Sequence, residues 1–439
     1  MLIQVSIGEV IDKYSILEIK SKHITDSIKL QNIHNEISCL QECKQYIQQN
    51  QFLYNLLIYV NQQIWDLTNQ IKSLSINDSS FSSISNLIFD FNQKRFRIKN
   101  MFNHLFESHI KEEKSYLSHC CKLITDNEET IYSKIPEINY LLIEYDTLIV
   151  QDKYYSLYKQ LFQHSTIIQE NNISIHDFTS IQTIQLQQYS ISPDLIPIFD
   201  FQPIRYASSG KLGDFIQTLS IINEKFYQTG RKGILYIREL REPFSSGLNK
   251  TFQDTYTVIQ SQKYIQDYYI YNQEHIDIEL DSWRSRNDIL FTMNWYHIFK
   301  QVYNVEWGLH PWIHVPHNTE WENKILINQM EYRQSYNIDY QLLYEKYKDS
   351  LVFISFNKKE YDDFIQKTNL NIPHYQPSSF MDACIAIHSC KLLVATLSGI
   401  LTIGHACHKN RIIGLCGSVG DDIHNNNFNE IWNHVSYSV

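Results

Sequence analysis

Apolar residues recur at three- and four-residue steps through the first hundred or so positions, the spacing of one buried face on a helix. Val10, Tyr14, Leu17, Ile24 and Ile28 begin the pattern, and after a phase shift Ile33, Ile37, Leu40 and Ile47 continue it. Leu53, Leu57, Ile64 and Ile71 mark a second helix over 51–74. Leu87, Phe91, Ile98, Phe102 and Leu105 mark a third over about 84–117. Ser6-Ile7-Gly8-Glu9 has the spacing of a capping box, and Ser75-Ile76-Asn77-Asp78-Ser79-Ser80 is turn chemistry. Three long helices with short links predict an all-α antiparallel bundle over 1–118. On the first helix Glu9, Asp12, Lys13 and Glu18 read as a solvated face with i,i+4 pairs, a binding face being the alternative.

Residues 119–200 carry a weaker pattern. Tyr140–Tyr145 and Thr147–Val150 read as buried strands and 153–164 as a short helix, with Pro193 and Pro197 closing the region like a linker. This predicts a small α/β connector. From about 203 the texture becomes alternation of short apolar runs with helical segments. Strands are expected at 203–207, 233–237, 324–328, 351–356, 373–376, 391–396 and 411–415. Helices are expected at 213–227, 338–348, 359–368, 379–389 and 400–408. Such alternation implies parallel sheets covered on both faces. Two Rossmann-like domains facing a cleft are therefore expected behind the bundle, over 201–318 and 319–439.

The net charge of −10, with no clustering of Lys and Arg, argues against a general nucleic-acid binder and leaves a local basic groove as the alternative. None of the eight cysteines forms a C-x-x-C pair, and no Cys/His spacing fits zinc, so reduced buried thiols are expected and no metal is. The start lacks a basic, apolar leader pattern, and no stretch approaches the ~18 apolar residues of a membrane span. A cytoplasmic protein without a transmembrane segment is expected. The bundle's long apolar faces would serve either a homodimer or burial against the rest of the chain.

Three loops carry candidate chemistry. Ser208-Ser209-Gly210-Lys211-Leu212-Gly213-Asp214 leaves a strand and opens a helix. With only 12 glycines in 439 residues, two in one loop are informative: they allow a tight turn and close approach of a ligand to backbone. The loop is neither a P-loop nor G-x-G-x-x-G. Asp214, on the helix's first turn, is a candidate general base, or simply a charge favourable to the helix dipole. In Ala395-Thr396-Leu397-Ser398-Gly399-Ile400-Leu401-Thr402, Ser398 can cap a helix whose amides, with Gly399 and Thr402, suit a diphosphate. Asn328 ends the strand beginning at Lys324, where ligands bind in open α/β sheets, and Arg333 follows with a fork for phosphate.

Two resemblances follow from these motifs. Ile7-Gly8-Glu9-Val10-Ile11-Asp12-Lys13-Tyr14-Ser15-Ile16-Leu17-Glu18-Ile19-Lys20 resembles the opening of a small bacterial family of unknown function, associated with surface-polysaccharide genes. Asn61–Asp66, Lys94–Lys99 and Glu112–Tyr116 extend that resemblance. Residues 203–439 resemble GT-B glycosyltransferases of the lipopolysaccharide heptosyltransferase-like group, whose S-S-x-G-D-x-x-x-T-L stretch is matched by Ser208 to Leu219. By that resemblance Asp214 is the catalytic base, with Ser209, Gly210, Lys211 and Gly213 forming its phosphate or acceptor loop. Ser398 and Gly399 match the group's D-[ST]-G-x-x-H diphosphate segment, while Leu397 and Thr402 replace its aspartate and histidine.

The expectation is a glycosyltransferase moving a sugar from a nucleotide-sugar donor to a glycan, lipid-linked or protein hydroxyl, with inversion. No cofactor or metal is expected, in keeping with the absence of D-x-D from the catalytic half. The donor would sit on Asn328, Arg333, Ser398, Gly399 and Thr402. A sugar-nucleotide 2-epimerase and a non-catalytic scaffold are the alternatives.

Overall fold

In a computed structural model the structure describes residues 4–110, 119–172, 180–240, 243–286 and 295–415. Cys416 and the Glu112–Tyr116 motif lie outside them. The chain divides into two compact units, Met1–Gln202 and Pro203–Val439.

The first unit opens with α1 (Ile7–His23), α2 (Ser27–Cys39), α3 (Lys44–Gln49), α4 (Gln51–Lys72) and α5 (Phe81–Leu105). Helices α1, α4 and α5 pack on one another as a bundle. The apolar phase shift in the first segment has a local cause. Ile24 is extended (φ −93°, ψ 123°), and Asp26 caps a new helix by accepting from the Lys29 amide at 2.9 Å. Where one long helix was expected, the chain therefore makes three pieces. Ser6 caps α1 by accepting from the Glu9 amide at 3.2 Å, but the Glu9 carboxylate reaches Lys99 on α5 rather than back to the cap.

The expected solvated face of α1 is found only in part: Lys13 is exposed, whereas Asp12 is buried. Asp12 takes hydrogen bonds from Arg95 of α5 and Asn61 of α4. Glu18 accepts from the Tyr54 hydroxyl at 2.7 Å, and Lys13 pairs with Glu36. A Cβ on Gly8 would lie 2.3 Å from the Lys99 carbonyl oxygen, so α1 and α5 touch backbone to backbone there. These motif residues tie helices together.

The remainder of this unit is a parallel sheet of β1 (His119–Ile124), β2 (Thr147–Val150), β3 (Ile167–Gln169) and β4 (Ser180–Gln185), in the order β3-β2-β1-β4. Its connections carry α6 (Glu128–Ser133), α7 (Ile135–Glu144) and α8 (Tyr155–Leu161), and α9 (Ile196–Phe199) follows the sheet. The segment around Tyr140–Tyr145, expected as a strand, is the end of α7. Eight of its ten residues are buried, so no one-sided period marks it as a helix. Arg97 of α5 pairs with Asp146 at 2.7 Å, and Tyr59 of α4 meets Phe199 edge to face. The bundle's apolar faces are thus buried in part within this unit.

The second unit contains two parallel sheets. β5 (Ile204–Ser208), α10 (Leu212–Thr229), β6 (Gly233–Ile237), α11 (Leu248–Gln260), β7 (Ile265–Ile270) and β8 (Ile278–Glu279) give the order β7-β6-β5-β8, and α12 (Trp295–Tyr303) follows. The second sheet runs β11-β10-β9-β12-β13. It is built from β9 (Ile325–Asn328), α13 (Tyr340–Tyr347), β10 (Leu351–Ile354), α14 (Lys358–Thr368), β11 (His374–Tyr375), α15 (Phe380–Ser389), β12 (Leu392–Thr396), α16 (Gly399–Ala406) and β13 (Arg411–Gly414). Its core gathers Ile325, Ile327, Phe353, Phe364 and Val394. Two Rossmann-like domains are therefore present, each with its strand order reversing beside its first strand.

Among the described residues no helix is long and apolar enough to cross a membrane. Cys43, Cys120, Cys121, Cys384, Cys390 and Cys407 are free and buried; Cys39 is free and exposed. Burial pushes the Cys407 thiol up to about 12, an unreactive state.

Candidate functional site

In an open parallel sheet the strands on either side of the order reversal send their following chains to opposite faces, which leaves a crevice at their carboxyl ends. In the first Rossmann-like domain that crevice lies between β5 and β8. The loop after β5 supplies Ser209, whose amide donates to Asp281 Oδ1 at 3.1 Å and whose hydroxyl donates to Oδ2 at 2.7 Å. Asp281, two residues beyond β8, is buried. Gly210 follows with φ +100°, a conformation that costs glycine little. Lys211 occupies the N-cap position of α10 with its side chain exposed.

Asp214 lies in the first turn of α10, and its Oδ2 is 2.5 Å from Nη2 of Arg284. Arg284 belongs to a short 3-10 turn, Ser282–Ser285, and its guanidinium lies 4.5 Å from the Trp283 ring centroid. The sequence reading missed Asp281 and Arg284. They sit between residues 240 and 320, where no clear alternation marks the elements.

In the second domain the reversal lies between β9 and β12. Asn328, the last residue of β9, is buried; its Nδ2 donates to the Ile354 carbonyl at 2.9 Å. Its Oδ1 accepts from the Ser398 hydroxyl at 2.8 Å, a bond spanning the crevice. Ser398 caps α16, its Oγ accepting from the Leu401 amide at 3.2 Å. A Cβ on Gly399 would meet nothing within 4 Å, so the start of this helix is open on that side. Arg333 donates through Nη1 to the Leu397 carbonyl at 2.5 Å, which sets its guanidinium against the turn entering α16. The Thr402 hydroxyl donates to the Ser398 carbonyl at 3.2 Å.

Glu360, in the first turn of α14, is a further residue that the sequence reading missed. Burial raises its carboxyl above the ordinary value, Asn328 opposes the rise with a hydrogen bond, and the charge of Glu331 adds to it. A lone glutamate at a helix start carries no signal of this in sequence.

The two loop sets meet. A Cβ on Gly213 would lie 3.4 Å from Thr402 Oγ1, and α10 packs along α16. The chain at 312–313 stitches them together. The Trp312 indole N–H donates to the Ile216 carbonyl at 2.9 Å, and the Trp312 and Ile313 amides donate to the Ala406 carbonyl at 2.9 and 3.1 Å. Ser209, Gly210, Lys211, Gly213 and Asp214 thus lie on one side of a junction and Thr402 on the other. Asn328, Arg333, Ser398 and Gly399 continue the second side one turn further along.

No family model and no curated protein matches the chain. Among solved structures it is similar to a family 9 glycosyltransferase from Veillonella parvula, at 9% identity over 70% of this chain and 84% of that one, with a TM-score of 0.23. The E. coli heptosyltransferase WaaC, solved with ADP-2-deoxy-2-fluoro heptose, is 8% identical over 67% and 88%, with a TM-score of 0.21. The E. coli ADP-heptose lipopolysaccharide heptosyltransferase II is 9% identical over 68% and 84%, with a TM-score of 0.19. The strand order and register of the second unit define its two Rossmann-like domains by themselves.

Proposed function

We propose that the second unit is a glycosyltransferase that moves a sugar from a nucleotide-sugar donor to an acceptor hydroxyl, with inversion and without a metal ion. The observation that carries this reading is the meeting of the two crevice loops, with Gly213 against Thr402. It brings the turn that carries Asp214 against the first turn of α16, which supports a base on one side and a diphosphate on the other.

The donor diphosphate would lie at the start of α16, where backbone amides, Gly399 and Arg333 favour negative charge. Leu397 is buried and Thr402 is already bonded to the Ser398 carbonyl, so the donor would be held more by backbone and Arg333 than by side chains of this turn. The acceptor oxygen attacks the anomeric carbon from the opposite side, a new C–O bond forms, and the bond to the diphosphate breaks. The acceptor proton passes to Asp214. The leaving diphosphate carries the developing charge, which fixed dipoles and Arg333 stabilise. A cytoplasmic location fits a nucleotide-sugar donor and belongs to the same proposal, as does pairing of copies through the helical bundle.

The test is a thermal-shift panel of UDP, GDP, ADP and CMP with their sugars, on wild type and Arg333→Ala. One nucleotide that stabilises the wild type and not the variant supports the donor site and names the sugar class to assay. No shift with any of them in a folded protein directs attention to a scaffold role instead. Product analysis without acceptor then separates transfer from 2-epimerisation, because only an epimerase converts the nucleotide sugar alone.

A further inference from the structure

Among the described residues the three sheets have six edges, and five of them are short or interrupted. β8 and β11 are two residues long, β3 three and β13 four. β7 has six residues but carries Asp267 and a register shift against β6 at Gly233/Ile234. Short strands, charges and irregular pairing are the usual means of keeping a sheet edge from acquiring a further strand. β4 has none of them. It runs six residues in unbroken register with β1, and no charged residue occurs between Asp177 and Asp194.

β4 is open as well as long. Among the described residues no strand lies on its outer side, and no backbone bond reaches Ser180–Ile184 from there. Ile181 is 40% exposed, Gln182, Thr183 and Gln185 are exposed, and Ile184 alone is buried. Side chains alternate between the two faces of a strand, so this exposure falls on both. Ile181, Thr183 and Ile184 are β-branched and favour strand pairing.

Such an edge is complementary to itself. Two copies related by a two-fold axis normal to the sheet pair antiparallel, each supplying the donors and acceptors that the other lacks. With no charge on either strand, no like-charge pair is forced across the junction. Opposite residues of an antiparallel pair share a face, so the axis passes through a residue facing its own copy and not between two residues. Gln182 and Thr183 are the central positions of β4. Self-pairing closes both open edges at once, whereas a foreign strand leaves its own outer edge exposed.

We propose that β4 is an interaction surface for a second copy of this chain, joined edge to edge so that two four-stranded sheets become one continuous sheet. The inference is independent of the transferase reading. It places the contact on the sheet of the first unit instead of the helical bundle.

The experiment is sedimentation equilibrium of the full chain at micromolar concentration, on wild type, Thr183→Lys and Leu87→Lys. Thr183 on β4 and Leu87 on α5 are both exposed, so neither lysine enters a core. Wild type and Leu87→Lys are expected at twice the chain mass, and Thr183→Lys at the chain mass, with circular dichroism showing each variant folded. Gln182→Cys and Thr183→Cys, each in a Cys39→Ser background, test the pairing without an added charge. Oxidised glutathione is expected to cross-link two copies through one of these positions and not the other, which fixes the register. This arm decides the question if Thr183→Lys does not fold. A monomeric wild type, a folded Thr183→Lys that stays dimeric, or the absence of a cross-link at both positions overturns the proposal.

Discussion

Asp12 is 1% exposed and accepts from Arg95 Nε at 2.8 and 3.0 Å and from Asn61 Nδ2 at 2.8 Å. Removing one partner of a fully buried ion pair costs about 3–5 kcal/mol. Arg95 is a quarter exposed, so Asp12→Ala is expected to destabilise by about 3 kcal/mol or somewhat less, read from urea unfolding. Gly8→Ala should cost about 1–3 kcal/mol, because its Cβ would lie 2.3 Å from a backbone oxygen that can yield only if α1 and α5 separate. At the candidate site Asp214→Asn is expected to lower the transfer rate by about 10²–10⁴, with nucleotide binding retained. A full rate in that variant removes Asp214 from the role of base. The position of Asp214 was legible from Gly213-Asp214 opening a helix after a strand. Its ion pair was not, since Arg284 lies 70 residues away.

The elements of the second sheet show why alternation reads well. β9, β10 and β12 are largely buried runs of four or five residues, apolar but for the final Asn328 and Thr396, and the helices that follow the strands, α13, α14, α15 and α16, each start at an Asp, Asn or Ser cap. Ser398 does two things at once, capping α16 and bonding Asn328 across the crevice. Ser398→Ala is therefore expected to cost at least the ~1 kcal/mol of a lost cap, and to weaken any nucleotide-induced shift by loosening Asn328. An unchanged shift would place the diphosphate elsewhere. The α7 helix shows the opposite case. Buried on nearly every side, it has the apolar continuity of a strand, and only its length and its packing identify it. The interruption after α1 is subtler: the apolar phase shift was visible, but the extended Ile24 and the Asp26 cap that cause it needed the backbone.

At the scale of the whole chain, proton uptake shapes stability. Burial pushes the His164 imidazole down to about 4, with a smaller contribution from the charge of His104. In the unfolded chain the same ring binds a proton near its ordinary value of ~6.5. Between those values the unfolded state holds more protons, so the contribution is complete above about pH 6.5 and is lost as pH falls toward 4. By that limit the loss is about 3 kcal/mol. Urea unfolding of wild type across this range should show the decline, and His164→Gln should flatten it; an identical slope in both would show that other groups govern the acid side. The chain's elements respond to local rules in the same way that this slope responds to one ring, and those rules are what the sequence by itself determined: helical periods in the first hundred residues, strand–helix alternation after 203, and polar loops at the carboxyl ends of strands. Only the tertiary structure decided strand order, the grouping of the 119–185 sheet with the bundle, and the partners Asp281, Arg284 and Glu360. Periodicity and capping are encoded within a few neighbouring residues, whereas strand neighbours and ion-pair partners are chosen by long-range packing that no local pattern records.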